Sequence, residues 1–162
     1  RIKELTNILD IHATILDLGK VKNTSHCDGK SIIPLVNKTS RNWENEIFIQ
    51  ISESELARSL RTSKWKYCIS DLTSNGNDKP SSDNYTETSL YDLDADPYEL
   101  NNLIGINAYD EILNDLRKKM KRKIKKIENI SIKINKGQNI TNPGQLGLKP
   151  DSFHRSKKNN SK

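Results

Sequence analysis

Long apolar runs are missing from this chain of 162 residues. No stretch approaches the ~20 apolar residues of a membrane-spanning helix, and the first residues hold no signal-peptide core. Cysteine is scarce: Cys27 and Cys68 stand far apart and match no metal spacing such as C-x2-C. Two ordinary thiols are expected, not a disulfide scaffold. His12, His26 and His154 share no ligand spacing, which argues against a histidine metal site. Hydrophobic residues make up 33% and charged residues 30%, so the chain is polar for a self-sufficient globule. Methionine occurs once, at Met120, and the chain opens on Arg1, so a fragment without its upstream part is expected. Asn-x-Ser/Thr triplets begin at Asn23, Asn37, Asn84, Asn129, Asn139 and Asn159, but in so Asn-rich a chain many arise by chance.

What is present separates into regions. Asp10 to Leu18 reads as a short helix: Asp10 can cap it, Ile11, Ile15 and Leu18 share a face, and Gly19 supplies a left-handed stop. Asp28-Gly29 marks a turn before the small apolar cluster Ile32, Ile33, Leu35 and Val36. Helix and cluster together are too little for a core of their own.

From Trp43 to Ile69 the period becomes two. Ile47, Ile49 and Ile51 alternate with Phe48 and Gln50, which predicts a strand with one strongly apolar face. Trp65, Tyr67 and Ile69 alternate with Lys64, Lys66 and Cys68 in the same way. The polar stretch Ser52–Leu60 between them predicts a loop or short helical turn. Another strand is expected at Ser89–Leu93, after an exposed excursion over Leu72–Thr88 that is rich in Ser, Asn, Asp and Gly.

At Asp96-Pro97 a capped turn is predicted, since Pro suits a first helical position and Glu99 has capping-box spacing from Asp96. A long helix should start at Asn107. Tyr109, Ile112, Leu113, Leu116, Met120, Ile124 and Ile127 follow the spacing of one buried stripe. Asp110 and Glu111 in its first turn and Lys/Arg later both suit the macrodipole. After about Lys133 the pattern dissolves into a basic tail, expected to be disordered or draped on a partner surface.

Four stretches carry a resemblance. Asp10–Gly19 (Asp-x-x-x-Thr-x-Leu-Asp-Leu-Gly) resembles the helix that ends the large domain of sulfatases, members of the alkaline phosphatase superfamily. Asp28-Gly29-Lys30-Ser31 with Pro34-Leu35 is similar to that family's Asp-Gly-(Arg/Lys)-Ser-Leu-x-Pro-Leu turn. Phe48–Tyr67 resembles its strand followed by Arg-Thr-x-(Arg/Lys)-Trp-Lys-Tyr. Leu90–Leu103 is similar to its Leu-Tyr-Asp-Leu-x-x-Asp-Pro-x-Glu-x-x-Asn-Leu signature. The four come in the family's order, over most of Asp10–Lys126.

The resemblance implies an enzyme that uses a formylglycine made from Cys or Ser in a Cys/Ser-x-Pro/Ala-x-Arg motif. Its gem-diol attacks sulfur beside a divalent metal, usually calcium. Both features lie in the upstream half of the family's chain. Here Cys27 reads Cys-Asp-Gly-Lys-Ser and Cys68 reads Cys-Ile-Ser-Asp-Leu, so neither fits the motif. No residue is assigned as nucleophile or metal ligand. The implied partners are the upstream catalytic domain of the same chain and, for the intact enzyme, a sulfated small molecule or sulfated sugar.

The polar stretch Ser52, Glu53, Ser54, Glu55 and Arg58 is the candidate rim of a substrate cleft. A guanidinium there could pair bidentately with a sulfate or sugar carboxylate. The plainer expectation is a solvated loop with a local Glu–Arg pair. Glu53 and Glu55, two apart on a polar loop, are ordinary surface and not a glycosidase pair. Two further functions compete. A sulfatase-like hydrolase of phosphate or phosphonate esters would share this C-terminal architecture. Net charge +6 and the run Arg117–Lys126 would suit a helix binding nucleic acid or an anionic surface. Against the latter, the apolar stripe interleaves with those cations at helical period, and no nucleic-acid fold signature occurs.

The expected fold is α+β. Residues 1–36 would end a large α/β domain. Residues 37–133 would form a small antiparallel sheet of three or four strands with the Asn107–Ile130 helix packed on it, and 134–162 would be the tail. Alone, such a chain should leave the apolar faces of Ile11–Leu18 and Ile32–Val36 uncovered.

Overall fold

The computed structural model describes residues 2–21 and 27–138. His26, His154, the triplets at Asn23, Asn139 and Asn159, and the basic end of the expected tail lie outside the described residues.

The first helix, α1, spans Ile8–Leu18. Its N-cap is Asn7, not Asp10. Asn7 Oδ1 accepts the Leu9 amide at 2.7 Å and the Asp10 amide at 3.3 Å, and the Asp10 carboxylate accepts the Asn7 amide at 2.9 Å. That reciprocal capping box moves the start earlier than predicted. Gly19 keeps an ordinary φ of −75°, and the left-handed residue is Lys20, at φ 56°.

The small and polar side of α1 faces the following segment. Asp10 Oδ1 accepts the Lys30 amide at 2.9 Å, and Thr14 Oγ1 accepts the Ile32 amide at 3.0 Å. At Gly29 a Cβ would stand 2.1 Å from the Leu9 carbonyl oxygen, so only glycine admits this approach. The single-turn α2, Ile33–Val36, follows with Leu35 buried.

Next comes the sheet: β1 Glu46–Ser52, β2 Leu56–Thr62, β3 Trp65–Ser70 and β4 Asn84–Asp92, antiparallel neighbours in chain order. A fifth strand, β5 Lys133–Asn135, pairs with β4 in parallel, Tyr85 opposite Ile134. The sheet therefore has five strands, one of them parallel, and it crosses the boundary expected at 133. Most of Ser52–Leu60 is strand, not loop. Its inward positions are Leu56, Arg58 and Leu60, and the charge at the middle one hides the period of two.

Helix α3, Asp110–Glu128, follows a 3-10 turn at Asn107–Tyr109 and ends on Asn129 at φ 57°, a left-handed cap. Leu113, Leu116, Met120 and Ile124 are buried against Leu56, Leu60, Tyr67, Ile69, Tyr85 and Leu90 of the sheet. Each such apolar side chain contributes about 1.5–3 kcal/mol through burial. Ile127, at the end of the predicted stripe, is exposed.

Directly opposed residues of an antiparallel pair share a face. Phe48 opposes Leu60 and packs on the core under α3. Ile47, Ile49 and Ile51 therefore line the other face, with Ile49 47% exposed. The apolar face predicted for β1 is real, but α3 does not cover it.

The turn after β4 also differs from expectation. A turn forms at Pro97–Tyr98, the Glu99 amide donating to the Asp96 carbonyl at 3.1 Å, but no helix starts there and Glu99 closes no capping box. The Asp96 carboxylate accepts the Asn101 amide at 2.7 Å, while Glu99 turns away to Lys66, with Nζ and Oε2 2.5 Å apart. Register slips between Cys68 and Ile69, where Ser89 and Glu87 are the successive partners. Asn102 fills the resulting bulge, accepting the Leu90 amide and donating to the Thr88 carbonyl, both at 2.9 Å.

Candidate functional site

The β1–β2 hairpin places the candidate rim residues on two sides. Glu53 and Ser54 sit in the exposed turn, and Ser52 closes β1. Arg58 points under the sheet. Its guanidinium is 1% exposed and meets Glu128 at the end of α3 in a bidentate pair, Nε–Oε1 2.6 Å and Nη2–Oε2 3.0 Å. Its remaining donors reach the carbonyls of Ile51 (3.1 Å), Ala57 (2.9 Å) and Pro80 (2.8 Å). Ser52 Oγ donates to the same Pro80 carbonyl at 2.7 Å. Arg58 thus has no donor spare for a sulfate, and the local Glu–Arg pair expected within the loop is a pair spanning 70 residues. Charge burial of this kind requires such complete pairing.

A second buried charge centre escaped the sequence reading. Glu87, 3% exposed, accepts from Tyr67 Oη at 2.9 Å, from Arg117 of α3, and from the Gly137 amide at 3.1 Å. Burial, and then the Glu87 charge, push the Tyr67 phenol far above its ordinary pKa, so it serves as a permanent donor. The one available signal was an acid at an inward position of a strand.

On the far side of the hairpin, Asp71 accepts from the Thr73 amide at 2.9 Å and hydroxyl at 2.7 Å. Burial acts to raise its carboxyl, but these bonds and those of Ser82 and Ser74 outweigh it and hold the carboxyl below the usual range. Both cysteines are free thiols; Cys27 Sγ lies 3.7 Å from His12 Nδ1, and Cys68 Sγ lies 3.3 Å from Ser59 Oγ. Among the described residues no three His, Cys, Asp or Glu side chains could hold a metal ion together. Among them, too, no helix is long and apolar enough to cross a membrane.

Arg58 and Glu87 are thus spent on holding the sheet and α3 together. The model of the family "N-sulphoglucosamine sulphohydrolase, C-terminal" matches residues 1–126. The chain belongs to this family.

Curated relatives of this C-terminal sulfatase piece include arylsulfatase K of Rattus norvegicus, 28% identical over 114 residues, which cover 64% of this chain and 18% of the relative. Arylsulfatase K of Gallus gallus is 26% identical over 162 residues, 88% of this chain and 28% of the relative. The chain thus spans less than a third of either relative. The fold is also that of a protein solved in complex with its substrate D-glucosamine-2-N,6-O-disulfate, with a TM-score of 0.60 at 21% identity, covering 74% of this chain and 24% of that one. A Bacteroides thetaiotaomicron VPI-5482 protein assigned as a sulfatase gives a TM-score of 0.53 at 20% identity, covering 75% and 26%. This chain is the C-terminal portion of a sulfatase-like protein, and the residues it buries hold the fold together.

The family's sequence signatures now have physical roles. Lys66, from the Trp-Lys-Tyr strand, pairs with Glu99 of the Asp-Pro-x-Glu turn, and Asn102 of that turn closes the bulge in β4. They pin the segment after β4 back onto β3 and β4.

Proposed function

We propose that this chain is the closing subdomain of a sulfuric ester hydrolase whose nucleophile and divalent metal are carried by the upstream part of the same protein. The observation that carries the reading is α1. Its inward face is Asp10, Ala13 and Thr14, while Ile8, Ile11, Ile15 and Leu18 point outward at 56–79% exposure. A helix with its apolar stripe in water lacks its packing partner. In a sulfatase-like protein of which this is a small part, the catalytic domain is that partner.

The division at residue 36 follows the same logic. Asp10 and Thr14 tie α1 to the segment before α2, whereas the contact with the sheet region includes the Leu5 carbonyl accepting from Trp43 Nε1 at 2.8 Å. We infer that residues 1–36 end the large domain and that those from 37 form the sheet-and-helix subdomain. Ser52, Glu53 and Ser54 stay candidates for the cleft rim, with Arg58 holding their hairpin from beneath.

For substrate we propose a sulfated sugar, in the intact enzyme, hydrolysed through a formylglycine. The family's description and the sulfated glucosamine bound to the structural neighbour support this choice. The test is sulfate release from sulfated glucosamine by the intact protein and by this chain alone. Release by the intact protein only is expected. Release by the 162-residue chain alone would sink the proposal, as would hydrolysis of phosphate esters in preference to sulfate by the intact protein.

A further inference from the structure

The outer side of α3 carries more positive charge than its surroundings neutralise. Seven of the nine residues 118–126 are Lys or Arg. Three of them have carboxylate partners: Lys118 Nζ lies 3.6 Å from Asp115, Lys119 pairs with Glu46, and Lys123 Nζ lies 2.5 Å from Glu44. The Lys123 hydrogen bond holds the Glu44 carboxyl below its ordinary pKa, so that acid stays ionised and committed. Lys121, Arg122, Lys125 and Lys126 are exposed and form no ion pair among the described residues.

Two features give this charge a shape. Residues three and four apart on a helix lie about 5–6 Å from each other, so Lys121 neighbours Lys125 and Arg122 neighbours Lys125 and Lys126, and the four cations form one compact patch. Beside that patch is an open cavity of about 260 Å³, lined by Glu44, Glu46, Lys119, Arg122, Lys123 and Lys126. Glu44 and Glu46 are engaged by Lys123 and Lys119, which leaves Arg122 and Lys126 unbalanced at its wall.

We infer that this face of α3, with the adjoining cavity, binds a sulfated polysaccharide chain. A small anion could touch two of these cations at once; a polymer that carries several anions and crosses the patch can engage all four. From Leu113 to Ile124 the apolar stripe of α3 is committed to the sheet, and the exposed Ile127 by itself is not an apolar face that could insert into lipid. No aromatic side chain lies among residues 118–126 to stack on a base. The choice of a sulfated polymer rests on the sulfated-sugar substrate proposed above.

The test uses the full-length protein that carries this chain, with heparin oligosaccharide as the probe over a range of salt. Binding should weaken steeply as salt rises, because each engaged cation releases counterions from the polymer. The variant K121Q/R122Q/K125Q/K126Q should lose about tenfold or more in affinity, with a salt slope shallower by about 3. The control K3Q/K20Q/K38Q/K133Q removes the same charge elsewhere and should change affinity less than about twofold. Equal losses in both sets overturn the inference, and so does duplex DNA or an anionic vesicle binding as tightly as heparin at equal salt. Amine acetylation of the unmutated protein gives a second readout that no folding defect can confuse. Heparin should shield Lys121, Lys125 and Lys126 but not Lys3 or Lys38; no such contrast refutes the surface. Heparin binding through these residues without sulfate release would sink the hydrolase reading alone. Sulfate release without that binding would sink this one alone.

Discussion

Arg58 and Glu128 form a bidentate ion pair beneath the sheet, 1% and 11% exposed, joining the second strand to the last turn of α3. Removing one partner leaves the other charge buried. R58M is therefore expected to cost ~3–5 kcal/mol, and the double variant R58M/E128M to recover much of it. Urea unfolding of the four-member cycle measures both. An R58M midpoint indistinguishable from the parent would mean that solvent reaches the pair.

The approach of α1 to the turn that follows it depends on the missing side chain at Gly29. A Cβ at 2.1 Å from the Leu9 carbonyl meets backbone, which cannot swing aside. G29A should lift the turn off α1 and break the bonds from Lys30 to Asp10 and from Ile32 to Thr14. Amide exchange at Lys30 and Ile32 is the direct probe, with protection falling by about tenfold or more for a loss of ~1.4 kcal/mol or more. Unchanged protection would contradict this packing.

Acid should weaken the fold through Asp71. Its folded carboxyl titrates below the ordinary value, so the unfolded chain takes up the proton first as pH falls. The contribution is complete above the unfolded pKa of about 4 and disappears as pH drops beneath it. Glu44, held down by Lys123, acts in the same direction. The urea midpoint should be flat from about pH 7 to 5 and fall below about 4. D71N should begin lower at neutral pH and decline less on acidification. An equally steep decline in D71N would remove Asp71 from the account.

The outward stripe of α1 makes opposite predictions for two forms of the protein. I11K/I15K should reduce self-association of this chain by itself, since both isoleucines are more than half exposed there. In the intact protein the same change should lower the thermal midpoint by several degrees, because each buried isoleucine is worth about 1.5–3 kcal/mol. Light scattering and calorimetry read the two effects. Melting of the intact variant at the parent's temperature would show that nothing covers the stripe.

Much of this architecture was legible in short-range pattern. The α3 stripe from Leu113 to Ile124, the alternation at Trp65–Ile69 and the apolar ridge of α1 are written at helical or strand period within a few residues of one another. The strand β2 was not, because Arg58 occupies an inward position and breaks the apolar alternation. The Asp96 capping box was predicted from spacing alone and fails because Glu99 finds Lys66 across the sheet, 33 residues away.

Sequence periodicity alone settled which residues of α1 and β1 lie together on one face, since side-chain direction follows backbone geometry residue by residue. Which face would be covered was decided only in three dimensions. Phe48 went under α3 and the isoleucines of β1 stayed on the other side. The partners of Arg58 and Glu87 were settled there too. A buried charge must be neutralised by whatever the chain brings near it, and that comes from residues 70 and 30 positions distant.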